Sequence, residues 1–359
     1  MARARYRSTG LATSTDLVNW TKDADNPLFD GGRFCVSPFR RGDYYYLLVP
    51  HYTSGASKSN IELYGDSNPT FYRTDREYLD IVIPYGVSGW DSAKLDTAMV
   101  LTDNIARSTF SASGNQLWAY YGGCQKTNWA TGMTIETDID SALNPNNNYA
   151  TTPLDYWIQK QASAISNWSK YRGNPILSPT GNEDLTAWGS VLKVDSTYYY
   201  YYTYHDANDR YQIGRASSTD GKSWTKDIAD NPVFMKGASG KFDDAGTWLP
   251  LVWVEDRTWH MLYSGTRDAI CLTNNAIGYA TSSDGVSWVR QNSGNAVLSG
   301  TTGKWDENHA EAGGIIKVGS TYYLFYSTFA VKGWWDRLWQ RSSVRLGVFV
   351  RLHWPFRLV

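Results

Sequence analysis

Two acidic residues break an otherwise repetitive sequence. Asp96 lies in LDTAMVLTD and Glu311 in HAEAGG, each opening an apolar run that reads as a β-strand. A third carboxylate, Asp244, follows Asp243 in KFDDAG. Carboxyl groups facing one another across a pocket can divide acid and base work. One protonates a leaving oxygen while the other activates water or attacks carbon. Burial among aromatic rings raises the pKa of one of them and keeps its proton in place. This is the chemistry that acetal cleavage demands. Glu311 is the expected general acid, Asp96 the expected base or nucleophile, and Asp244 a supporting carboxylate. Trp188 and Trp248 fall at inner strand positions where ring faces could stack on a sugar. His309, two residues before Glu311, and Arg33, close to an inner strand start, complete the expected substrate-binding set.

The elements that must position these groups repeat along the chain. Five aromatic-rich runs follow polar turns: YYYLLVP, QLWAYYGG, TYYYYYTY, TWHMLYSG and TYYLFYST. With Tyr44, Leu117, Tyr198, Trp259 and Tyr322 as markers, the spacings are 73, 81, 61 and 63 residues. Each run has the Tyr, Trp and Val content of a strand, and a shorter apolar run precedes several of the turns, so each unit carries a hairpin. Outer signatures recur as well. Asp16, Asp220 and Asp284 each stand four residues before a Trp, and Asn26, Asn174, Asn231 and Asn295 follow in NPLF, NPIL, NPVF and NAVL. Phe29-Asp30, Trp90-Asp91, Phe242-Asp243 and Trp305-Asp306 form a third set. Residues present in every unit read as Asx turns and aromatic plugs, because a catalytic group has no reason to recur. Units of this length with about four strands each are propeller blades. The expectation is an all-β, five-bladed β-propeller over residues 8–329, closed by the N-terminal strand, which pairs with the last hairpin and removes two sheet edges.

Composition excludes several classes. The 359 residues carry 34 Lys plus Arg against 35 Asp plus Glu, a net charge of −1, with 17 Trp and 26 Tyr. No global field draws the chain to nucleic acid, and no apolar run approaches a membrane span. Cys35, Cys124 and Cys271 are widely spaced and form no disulfide framework or zinc motif. No HExxH, Walker loop or GxSxG is present. No cofactor is expected, beyond a structural calcium ion for which the central channel is the candidate place. Met1 to Arg7 are basic without an apolar stretch, and an extracellular or periplasmic setting is favoured, with the export signal outside this sequence. A monomer is expected. Residues 330–359, rich in Arg and Trp, fall outside the repeat.

The units WD-x-G, G-x-Y-Y-x-x-Y-S and I-G-x-A-T-S-x-D-G-x-x-W resemble the five-bladed superfamily of arabinanases, xylosidases, invertases and levansucrases, glycoside hydrolase families 43, 32, 62 and 68. Ala276 to Leu298, Phe242 to Gly265 and Trp305 to Thr328 carry the resemblance best. It implies a glycosidase acting on an oligo- or polysaccharide, with an Asp base opening blade one, an Asp in blade two and a Glu acid in blade three. Asp96 matches the blade-two position. The blade-one position reads Val36-Ser37-Pro38, and blade three has Ala187-Trp188-Gly189. Glu311 has the surroundings of the acid motif but stands in blade five. These departures leave a non-catalytic carbohydrate-binding propeller as the alternative. A sialidase-like enzyme, suggested by the Ser-x-Asp-Gly-x-Ser-Trp segments, ranks third.

Overall fold

The computed structural model describes residues 7–41, 44–52, 59–84, 89–92, 94–101, 117–125, 129–136, 168–181, 183–206, 210–227, 229, 231–267, 274–307 and 309–329. Cys271 and residues 330–359 lie outside them. Among the described residues the structure is strands and turns, with one 3₁₀ turn at Asn292–Gly294 and no α-helix.

The chain begins with β1 (Arg7–Ser14) and β2 (Thr21–Lys22), followed by the meander β3 (Ser37–Arg41), β4 (Tyr44–Tyr52), β5 (Ser59–Asp66) and β6 (Glu77–Ile83). Next come β7 (Lys94–Val100), β8 (Leu117–Cys124), β9 (Trp129–Glu136) and β10 (Trp168–Lys170), also paired in sequence. The third meander is β11 (Leu185–Val194), β12 (Thr197–Asp206), β13 (Arg210–Ser218) and β14 (Thr225–Lys226). A single parallel contact, Leu185 to Trp129, joins β11 to β9. The fourth holds β15 (Gly246–Glu255), β16 (Thr258–Thr266), β17 (Ala276–Ser282), β18 (Trp288–Arg290) and a short β19 (Leu298–Ser299). Finally β20 (Glu311–Val318) and β21 (Thr321–Phe329) pair with β1 and β2 in the order β2-β1-β21-β20. Strand β1 faces β21 along its whole length, from Arg7 opposite Phe329 to Ser14 opposite Tyr322. It ends at Ser14, and Asp16 lies in the turn after it.

Apolar side chains fill the spaces between successive meanders. Leu48, Leu63, Ala98 and Tyr121 join the β3–β6 group to the β7–β9 group, and Met133, Tyr200 and Tyr202 sit in the next layer. Met261 and Tyr201 form the third layer, Leu262 and Leu324 the fourth. The fifth joins Phe325 and Leu11 to Leu47 and Val49. The strands are therefore buried on both faces, which is why they read as near-continuous aromatic and aliphatic runs.

Most of the recurring polar residues hold this framework, as their repetition implied; Asp30, exposed and paired with Arg73, and Asn295, which accepts from the Lys241 ammonium, make different contacts. Asn26, Asn174 and Asn231 each bridge a backbone N–H and C=O of one strand residue: Leu11, Met133 and Arg215. Asp16, Asp220 and Asp284 accept the backbone N–H groups two and three residues on. Asp91, Asp243 and Asp306 are buried, each accepting a Tyr hydroxyl and pairing with Lys170, Arg290 or Lys22. The aromatic partner before each Asp covers that Tyr. Trp305 lies so close over β1 that a methyl group at Gly10 would sit 2.6 Å from its ring.

Candidate active site

The inner strands share one irregularity. Asp96 faces Gly122, Ala187 faces Thr203 and Trp248 faces Ser264, with the register slipping just beyond each pair; Glu311 faces Ser327, and there the slip comes one pair later, after Ala312 opposite Tyr326. Such bulges re-aim side chains at strand ends. The residues following three of these positions, Thr97, Trp188 and Leu249, have φ of +36°, +55° and +51°. Strand hydroxyls tie each slip to the next meander. Thr203 Oγ1 accepts the N–H of Leu249, Ser264 Oγ that of Ala312, and Ser327 Oγ that of Cys35, at 2.6–2.9 Å. The residues just before these three donors are Trp248, Glu311 and Phe34. Phe34, Asp96, Ala187, Trp248 and Glu311 therefore occupy equivalent inner positions in the five meanders, and two of them are carboxylates. Just past this level a cavity of about 10 Å³ is lined from every meander, by Cys35, Thr97, Gly189, Leu249 and Gly313 among others. That is about the room of one water molecule. Its lining supplies the Ser37 and Thr97 hydroxyls and backbone, and no carboxylate.

Asp96 is buried, 4% exposed, and its Oδ1 accepts the N–H of Thr97 at 2.8 Å. Its Oδ2 lies 3.6 Å from the guanidinium of Arg7, the first residue of β1. Burial pushes the Asp96 carboxyl up to about 6, against the pull of Arg7 and the Thr97 N–H, and the charge of Glu311 adds to the rise. Glu311 is held differently. Its Oε1 lies 3.0 Å from His309 Nε2 and accepts from Asn275 Nδ2 at 3.2 Å. Burial works to raise this carboxyl too, but His309, Arg7 and Asn275 outweigh it, and its pKa falls below the usual carboxylate value. The two carboxyls are thus shifted in opposite directions, Asp96 up and Glu311 down.

The remaining expected residues divide. His309 is 2% exposed and bonded to Glu311, so it clamps the carboxylate and is not available to a substrate. Trp248 is buried beside Phe34, Cys35 and Leu249; Trp188, half-buried, packs against this group and leans on Trp129 at 5.3 Å between ring centres. Tyr52 and Tyr211 extend the same aromatic wall. Arg33 turns to Glu62, at 2.9 Å, which also takes His51 Nδ1 at 2.6 Å. Asp244 is not brought to the pair: its Oδ2 caps the N–H of Gly240 in the loop before β15. The role given it as a supporting carboxylate has no geometric counterpart, because adjacent Asp243 and Asp244 serve the plug and the turn.

Two contributors escaped the sequence reading. Arg7 meets Asp96 only because β1 is seated against β21, a contact spanning the whole chain. Asn275 reaches Glu311 through the bridge that sets Asn275 beside His309. His309 did carry a usable signal, since residues i and i+2 of extended chain share a face.

No protein-family model matches the chain, and no curated protein matches it in sequence. Solved structures do resemble it. A protein described as a glycoside hydrolase superposes with a TM-score of 0.61 at 15% identity, over 83% of this chain and 88% of that one. A thermostable family-43 glycoside hydrolase gives 0.54 at 15%, over 82% and 88%. The β-1,2-mannobiose phosphorylase from Listeria innocua gives 0.56 at 12%, over 93% and 99%. The chain has the fold of the propeller glycoside hydrolases, the superfamily that its repeated motifs resemble.

Proposed function

We propose that this protein is a glycosidase cleaving an oligo- or polysaccharide at the centre of a five-bladed propeller whose ring is closed by the N-terminal strand. The five meanders, the five apolar layers between them and the β1–β21 pairing support that architecture. The observation that carries the function is the carboxyl pair: Asp96 and Glu311 at equivalent inner positions beside an aromatic wall, their pKa values pushed in opposite directions. Asp96 is the group that retains a proton toward neutral pH and serves as general acid. Glu311, ionised and clamped through Oε1, serves as base or nucleophile through Oε2. This is the pattern of two carboxyls whose surroundings drive their pKa values apart.

Product release from arabinan, xylan, fructan, mannan and galactan oligosaccharides, followed by chromatography with and without inorganic phosphate, tests the reading. Cleavage of at least one is expected, with kcat/KM falling as pH rises through about 6. Asp96→Asn and Glu311→Gln should each cost on the order of 100-fold or more. Asp96→Asn should retain most activity on an aryl glycoside whose leaving group needs no proton, and Glu311→Gln should not. The opposite sparing would restore Glu311 as the acid. Binding of intact oligosaccharide with no product would select the non-catalytic propeller, for which the apolar residues Phe34, Ala187 and Trp248 at the other inner positions speak.

A further inference from the structure

Arg7 stands where four parts of the fold meet. Its backbone belongs to β1, paired with Phe329 of β21. Its carbonyl accepts the N–H of Gly32 at 3.0 Å, in the segment leading to β3. That approach requires glycine, since Gly32 has a φ of +94° and any Cβ would collide with the carbonyl of Tyr52. The guanidinium lies over the Phe34 ring at 3.9 Å and near Tyr52 at 5.4 Å, and reaches Asp96 on β7. A cation stacked this way keeps one position while facing a carboxylate.

We propose that Arg7 is a positioning residue whose fixed charge governs both carboxyls of the centre, so that the seating of the N-terminal strand is part of the active site. The proposal rests on the reading of Asp96 and Glu311 as the working pair. The titratable and charged groups facing Asp96 are Arg7, Cys35, Tyr52, Lys94, Cys124 and Glu311. Those facing Glu311 are His309, Arg7, Asp96 and Cys35. Among the described residues Lys94 acts on Asp96 and His309 on Glu311, while Arg7 acts on both. Removing its charge should therefore raise both carboxyls together, which no local rearrangement at one of them would do.

The test is a carboxyl-carbon NMR titration of protein labelled at Asp and Glu, with Asp96→Asn and Glu311→Gln assigning the two resonances. In Arg7→Gln both values should rise, Asp96 by about one unit or more. In Lys94→Gln Asp96 should rise, and in His309→Gln Glu311 should rise, with the other carboxyl unmoved or lowered as the repulsion between the two relaxes. Arg7→Lys covers the case in which Gln unseats β1. Its ammonium cannot stack on Phe34 and reach Asp96 together, so both values still rise, by less. If either carboxyl stays at its wild-type value in the folded Arg7 variants, the proposal is overturned. Because the titration is read without substrate, the two failures are distinguishable: a wild-type protein that hydrolyses nothing sinks the glycosidase reading, and with it the assignment of an active site, while the control of Arg7 over both carboxyls is still read directly.

Discussion

Replacing Asp96 by Asn should stabilise the protein at neutral and alkaline pH, whatever it costs in turnover. An ordinary aspartate titrates at 3.8, and burial moves Asp96 to about 6. The folded protein therefore binds this proton more tightly than the unfolded chain does. The stability the group contributes is full below pH 3.8 and is lost as pH rises through about 6. The gap corresponds to about 3 kcal/mol. Asparagine is close to isosteric and carries no charge to desolvate, so at pH 8 the variant should gain up to about 3 kcal/mol, less what Arg7 forfeits by losing its partner. Near pH 4 the two proteins should converge. Glu311→Gln has the opposite sign. The lowered pKa of Glu311 stabilises the fold above the unfolded value and is lost as pH falls, so its removal should destabilise at pH 8. Urea unfolding at pH 4, 6 and 8 measures all three. An Asp96→Asn protein equal to or weaker than wild type at pH 8, or a difference that does not shrink toward pH 4, would refute the argument that Asp96 is held protonated by burial.

Other predictions concern the framework and the wall of the site. Asn231→Ala removes the side chain that bridges the Arg215 N–H and C=O. It should cost about 1–3 kcal/mol in denaturant unfolding, the penalty of an unpaired buried donor. Gly10→Ala drives a methyl into the Trp305 ring and should cost about 1–3 kcal/mol by overpacking, with the midpoint restored in part by Trp305→Leu. Trp188→Ala should raise KM about fivefold, equivalent to about 1 kcal/mol of stacking, with a smaller change in kcat. An unchanged KM would make Trp188 a packing residue.

The framework was legible because its signals are local. Asp220 and Trp224 lie in one turn, and Asn231 binds a strand only 16 residues away, so each unit repeats them at nearly fixed spacing. The candidate pair was legible for the converse reason, as carboxylates at positions where the other units carry Phe34, Ala187 and Trp248. What sequence did not disclose is what sits beside them. Arg7 and Asp96 are 89 positions apart and meet through the pairing of β1 with β21, the last described strand. Asp244 shows the same limit from the other side. Its type and its neighbour Asp243 suggested chemistry, but the turn at Gly240 claims its oxygen.

That dependence on neighbours also explains why identical chemistry in two side chains leads to different states. Asp96 has one charged partner at 3.6 Å and one backbone N–H, too little to offset near-complete burial. Glu311 keeps more of its side chain open to solvent, 19% against 6%, and has a histidine and an amide on one oxygen. Part of the difference lies with the residues two positions earlier, Lys94 on β7 before Asp96 and His309 just ahead of β20 before Glu311. Burial depresses the Lys94 ammonium, and Lys94 ranks last among the groups acting on Asp96, whereas His309 is the strongest counterweight at Glu311. The flanking residue thus helps set how far burial can raise the carboxyl at an inner position.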